Sequence, residues 1–106
     1  MNEFVQILVT IDTKEHAEYM AELLVKKRLS ACVQILGPIV STYWWEGEVE
    51  KSEEWLIFIK TRGELYDKVE KMVRDNHPYE VPEIVAIPIV EGSRDYLNWL
   101  RKETMG

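Results

Sequence analysis

The stretch that decides the fold reads Ala31-Cys32-Val33-Gln34-Ile35-Leu36-Gly37-Pro38-Ile39-Val40-Ser41-Thr42-Tyr43-Trp44-Trp45-Glu46-Gly47-Glu48-Val49 and resumes at Trp55-Leu56-Ile57-Phe58-Ile59-Lys60. β-Branched and aromatic side chains are frequent in Ala31–Ile35, Ile39–Trp45 and Trp55–Lys60, as strands require. Gly37-Pro38 interrupts the first arm and predicts a bend or bulge, because proline cannot donate to a strand ladder. Glu46-Gly47-Glu48 supplies the turn, and Val49 begins the return. The reading is one long hairpin. Adjacent residues on a strand face opposite ways, so Trp44 and Trp45 cannot both point into one core. At least one of them needs a second layer, and aromatics of this kind are common interface anchors.

Upstream of the hairpin, Phe4 to Ile11 alternates Val5, Ile7, Val9 and Ile11 onto one face, which predicts a first strand. Asp12-x-x-Glu15 reads as a helix start. Ala17, Met20, Ala21, Leu24 and Val25 then recur at helical spacing from Lys14 to about Arg28. Lys26, Lys27 and Arg28 fall in the last turn, where positive charge suits the helix dipole.

Downstream, Thr61-x-x-Glu64 reads as a capping box, and Leu65, Val69, Met72 and Val73 mark the inner face of a second helix. Pro78 ends it. Ile84 to Val90 predicts a fourth strand, placed at an edge or bulge by Pro88. Ser93 can cap a short last helix with Tyr96, Leu97, Trp99 and Leu100 inward.

The order β-α-β-β-α-β-α matches the split βαβ, ferredoxin-like pattern of an α+β fold, with a long hairpin and a short C-terminal helix. Both main helices then lie on one sheet face. Yet Leu56 and Phe58 oppose Ile57 and Ile59, and Val85, Ile87 and Ile89 oppose Ile84 and Ala86, so apolar residues occupy both faces. Two helices cannot cover both. Another copy of the chain is the simplest cover.

A length of 106 residues fits one domain spanning 1–106. A net charge of -6 argues against nucleic acid, whose phosphates it would repel. No apolar run reaches the length of a membrane span. A lone cysteine, Cys32, cannot form an internal disulfide and suggests a reducing compartment, the cytoplasm.

No glycine-rich phosphate loop, Cys-x-x-Cys pair or nucleophile elbow is present. The candidate residues are therefore isolated ones. Cys32 reads either as a small hydrophobe on a strand or as a thiolate donor. His77 precedes Pro78-Tyr79-Glu80-Val81-Pro82-Glu83, a loop stiffened by two prolines, and reads as a helix-end residue or as a metal ligand. Lys60 ends one strand and Glu83 leads into another, so an ion pair between them near an interface is a further expectation.

These motifs, in order, resemble the CutA family of divalent-ion tolerance proteins. The resemblance rests on Ala31-Cys32-Val33, Ser41-x-Tyr43-x-Trp45-x-Gly47-Glu48, Lys60-Thr61, His77-Pro78-Tyr79-Glu80-Val81-Pro82-Glu83-Ile84 and Tyr96-Leu97-x-Trp99-Leu100. It implies a homotrimer, cytoplasmic location, binding of divalent metal ions (copper especially) and a part in metal tolerance. It also implies a ligand site at a subunit cleft, with Cys32 and His77 as metal donors and Lys60, Tyr79 and Glu83 as further binding residues. Val9 and Asn76 stand where enterobacterial members carry a cysteine and the first of two histidines. The architecture is also similar to the GlnB-like signalling trimers, so a module binding a small metabolite or partner protein at the clefts is the alternative. A catalytic use of Cys32, Lys60 and Glu83 is a third, and the chain is read as a non-enzyme.

Overall fold

The computed structural model describes residues 3–105. Its elements are β1 (Phe4–Ile11), α1 (Lys14–Lys26), β2 (Cys32–Trp45), β3 (Glu48–Arg62), a single 3-10 turn (Gly63–Leu65), α2 (Tyr66–Asp75), β4 (Ile84–Pro88) and α3 (Arg94–Glu103). The four strands form one sheet in the order β2-β3-β1-β4, with every neighbouring pair antiparallel. This is the expected ferredoxin-like α+β arrangement.

The register explains which residues share a face. Ile7 lies between Ile59 and Ala86, and Val9 between Ile57 and Ile84. These rows meet Ala17, Met20 and Leu24 of α1 and Val69 and Val73 of α2 in one apolar core. The opposite rows run Ile87–Gln6–Lys60–Cys32 and Val85–Leu8–Phe58–Gln34. Among the described residues only α3 supplies cover on that second face, and it does so at one end, where Phe4 is buried beneath the Arg101 guanidinium. Val85 and Ile87 stay 45% and 47% exposed, so one chain leaves the face open as the alternation required.

The hairpin turns at Glu46 and Gly47, whose φ of 48° and 82° are the positive values that a two-residue turn needs to match strand twist. The register of β2 against β3 shifts between Leu36 and Ile39, the irregularity expected at Gly37-Pro38. Pro88 sits on edge strand β4, where its missing N–H leaves no inner ladder bond unmade.

Several local expectations are corrected. The cap of α1 is Thr13, whose side chain accepts from the His16 amide at 3.0 Å; Asp12 instead holds the His16 ring at 2.7 Å. α1 ends at Lys26, and Arg28 takes a left-handed φ of 62° that stops the helix. Thr61 and Glu64 form no capping box. The Thr61 hydroxyl is buried and donates to the Leu29 carbonyl at 2.7 Å, while Glu64 pairs with Arg62. α2 enters through the 3-10 turn with Leu65 at its cap and no side-chain bond there. β4 ends at Pro88 rather than Val90, although the Ile89 amide still reaches the Phe4 carbonyl. Ser93 does cap α3, but only Leu100 of its expected inner residues is fully buried. Tyr96 and Trp99 remain exposed, because α3 lies over the end of the sheet rather than its middle.

Candidate functional site

The residues singled out in the sequence separate into two groups at opposite ends of the sheet. Cys32 and Lys60 are cross-strand neighbours in the row that contains Gln6. His77 instead touches Thr10, four residues farther along β1. At about 3.3 Å per residue that is about 13 Å of strand.

In the first group the Lys60 ammonium donates to the Gln34 side-chain oxygen at 2.7 Å and stands 5.9 Å from the centre of the Tyr96 ring. Antiparallel pairing of β2 with β3 sets Cys32 beside it, and the Ser93-capped α3 brings Tyr96 over both. Burial, then the neighbouring Cys32 thiol, pushes the Tyr96 hydroxyl above its ordinary pKa. The cluster joins a thiol, a phenol and an ammonium on a half-open surface.

In the second group His77 follows α2, which ends at Asp75 with the Asn76 side chain bonded back to the Met72 carbonyl. The His77 Nδ1 accepts the Tyr79 amide at 3.1 Å. That fixes the tautomer, so the proton sits on Nε2 and is donated to the Thr10 carbonyl at 2.7 Å. Both ring nitrogens are therefore engaged. Burial depresses the His77 pKa below the ordinary histidine value, against the opposing pull of the Thr10 bond and the Asp12 and Glu54 carboxylates. The histidine thereby folds the loop so that the Tyr79 hydroxyl reaches Glu54, donating at 2.8 Å. Glu54 is only 5% exposed, and burial followed by this carboxylate raises the Tyr79 pKa well above the usual phenol range.

Glu83 lies exposed just before β4, at the His77 end. It does not meet Lys60 within one chain, and the Lys60 ammonium takes Gln34 instead. Among the described residues no group of three or more His, Cys, Asp or Glu side chains is placed to hold a metal ion. The donors of a single chain thus do not fit a metal cage. A shallow cavity of about 420 Å³ opens elsewhere, where α1, β2 and α3 meet, lined by Val25, Lys26, Arg28, Ser30, Trp99 and Glu103.

Glu54, Thr10 and Gln34 escaped the sequence reading. Glu54 sits in an acidic run with Glu50 and Glu53, and only the arrival of Tyr79 from a distant loop marks it out. Thr10 contributes a backbone carbonyl, which no side-chain pattern can signal.

Comparison with known proteins bears on the family and the fold. The family model described as CutA1 divalent ion tolerance protein matches residues 5–103. The chain is 46% identical over 98 residues to the divalent-cation tolerance protein CutA of Thermus thermophilus, covering 92% of this chain and 95% of that protein. It is 43% identical over 98 residues to the chloroplastic protein CutA 1 of Oryza sativa, covering 92% of this chain but 55% of that longer protein. The solved structure of the Thermus thermophilus divalent cation tolerance protein superposes with a TM-score of 0.94 at 44% identity, covering 96% of this chain and 99% of that one. With a matching family model across nearly its whole length, and a relative this similar end to end, the chain belongs to the CutA1 divalent ion tolerance family.

Proposed function

We propose that the chain works as one domain in a homotrimer that binds divalent metal ions, copper among them, and serves metal-ion tolerance or response in the cytoplasm. The observation that carries this reading is the second sheet face. It leaves Val85 and Ile87 about half exposed, the latter in a row that ends at Lys60 and Cys32, in a chain whose relatives are named for divalent-cation tolerance. Burying such a face against copies gains roughly 25 cal/mol for each Å² of apolar surface removed from water. It also brings donors of neighbouring copies together, which is what the separated Cys32 and His77 require. A thiolate and an imidazole suit a soft or borderline ion. Lys60, Tyr79 and Glu83 would line the same clefts. The reading is of a binder rather than an enzyme, and its acidity disfavours nucleic acid as a partner.

The test has two arms. Sedimentation should give a particle of three chains, and a stable monomer of 12.5 kDa would overturn the assembly. Calorimetric titration with copper and zinc should show saturable binding that weakens in Cys32→Ser and His77→Ala. Binding unchanged by both substitutions would overturn the donor set.

A second reading has one observation in its favour. Both ring nitrogens of His77 are already hydrogen-bonded, which suits a positioning role better than a ligand role. A trimeric module of the GlnB-like kind, holding a small metabolite or partner protein in its clefts, needs no metal on His77. A ligand retained by the purified trimer in the presence of chelator would favour it.

A further inference from the structure

Lys60 stands apart from the other cations. Every other lysine or arginine either pairs with a carboxylate of the chain or lies exposed to water. Lys60 is half-buried, and among the described residues its ammonium forms no ion pair. This happens although Asp and Glu outnumber Lys and Arg by 19 to 13. Its hydrogen bond goes to the neutral Gln34 side-chain oxygen at 2.7 Å. An ammonium has three N–H donors, so further donors remain. A charge drawn partly out of water is costly without a counter-charge. The surrounding groups are donors too, and none is acidic. Cross-strand pairing sets Gln6 on one side of Lys60 and Cys32 on the other, all three on one sheet face. α3 lays the Tyr96 ring 5.9 Å from the ammonium, with its hydroxyl against the Cys32 thiol. Gln34 gives its oxygen to Lys60 and keeps its amide N–H groups as donors.

We infer that Lys60, Gln6, Gln34 and Tyr96 form a binding site for a carboxylate. The inference rests on the second reading above, a cleft that holds a small metabolite, and names the chemistry that the cleft selects. One ammonium balances one negative charge, which suits a monocarboxylate. Phosphate would bring further negative charge into a chain that already carries -6. An uncharged ligand would leave the ammonium uncompensated. Tyr96 packs on Trp99 with ring centres 5.5 Å apart, and this pair offers a flat apolar surface to the carbon skeleton of an acid. The same chemistry has two sources. One is a free small acid. The other is the side chain of Glu83 on a neighbouring copy, which is exposed and does not meet Lys60 within its own chain.

The experiment titrates benzoate calorimetrically into the full chain with chelator present, so that no metal contributes. Saturable binding with a dissociation constant on the order of 1 mM is expected for so small a ligand. Benzamide, which has the same shape without the charge, and inorganic phosphate should each bind more weakly by roughly tenfold or more. Lys60→Met should weaken benzoate by a similar factor, and Lys60→Arg should retain it. Gln34→Glu is the sharper variant. Position 34 is exposed, so the fold tolerates the change, and the new carboxylate takes the place of an oxygen 2.7 Å from the ammonium. It should compete from within the chain and abolish benzoate binding, with circular dichroism confirming the fold. Binding by the unmodified protein assigns the site to a free acid. Binding that appears only in Glu83→Gln assigns it to the carboxylate of a neighbouring copy. No binding in either protein, binding indifferent to both Lys60→Met and Gln34→Glu, or phosphate held as tightly as benzoate would overturn the carboxylate site. A purified trimer that retains a neutral or cationic ligand at Lys60 in chelator would also overturn it and leave the cleft reading standing. A monomer that binds benzoate through Lys60 would sink the trimeric cleft and keep the site, whose residues all belong to one chain.

Discussion

The Tyr79 hydroxyl donates to the buried carboxylate of Glu54 at 2.8 Å, tying the loop after α2 to the middle of β3. Glu54 is 25 residues away in sequence and almost fully shielded from water, so this bond decides where the proline-stiffened loop can sit. His77 prepares it from below by accepting the Tyr79 amide.

Removing the donor should leave the carboxylate with an unmet hydrogen bond in a dry place. Tyr79→Phe is expected to cost about 1–3 kcal/mol, the usual penalty for an orphaned buried polar group. Urea denaturation measures it. In the Glu54→Gln background the same change should cost clearly less, and an equal cost in both backgrounds would break the proposed coupling.

The depressed His77 pKa makes a signed pH prediction. Above about pH 6.5 the ring is neutral in both folded and unfolded chains, and stability gains nothing from it. As pH falls below that value the unfolded chain takes up the proton first, so the folded state loses stability until the pH passes the lower folded pKa. Protonation of Nδ1 would also set two donors against each other at the Tyr79 amide. Denaturation curves between pH 5 and 8 should show this loss in the unmodified protein and a shallower one in His77→Gln.

Gly37 has no room for a side chain. A methyl group there would stand 2.4 Å from Trp55 Cδ1 and 2.7 Å from Cγ. Gly37→Ala must push the indole out of its seat beside the core, at a cost of about 1–3 kcal/mol. Near-ultraviolet circular dichroism and the melting temperature should both change. An unaltered tryptophan signal would count against the packing.

Ile87 lies on the open sheet face, 47% exposed in one chain. Ile87→Lys should leave the isolated fold within about 0.5 kcal/mol of the original, as exposed substitutions do. It should nevertheless disperse the assembly, read as a fall in sedimentation coefficient. Loss of the fold itself would mean that the face is needed for the single chain and not for its copies.

Much of this was legible from residue patterns. Val5, Ile7, Val9 and Ile11 marked β1 by their alternation, and they are buried as that pattern requires. Gly37-Pro38 marked the irregularity, Pro88 the edge strand and Ser93 the cap of α3. The mistaken helix-cap assignments share one cause. Asp12, Thr61 and Glu64 carry side chains that suit helix caps, but each finds a competing partner: the His16 ring, the Leu29 carbonyl and Arg62. A cap motif states what a side chain can do for its own helix. It says nothing of a stronger demand from a backbone carbonyl 32 residues away, which is what Thr61 meets at Leu29.

By itself the sequence determined the element order, the hairpin and the surplus of apolar residues on the sheet, because side-chain periodicity and turn chemistry act over a few residues. It also carried the family motifs. Only the tertiary structure decided which candidate residues share a place. Register set Cys32 beside Lys60, while the fold of the loop after α2 carried His77 and Tyr79 to Thr10 and Glu54 at the other end. Proximity between residues distant in sequence depends on how strands pair and where a loop is tied down, and no local pattern encodes either.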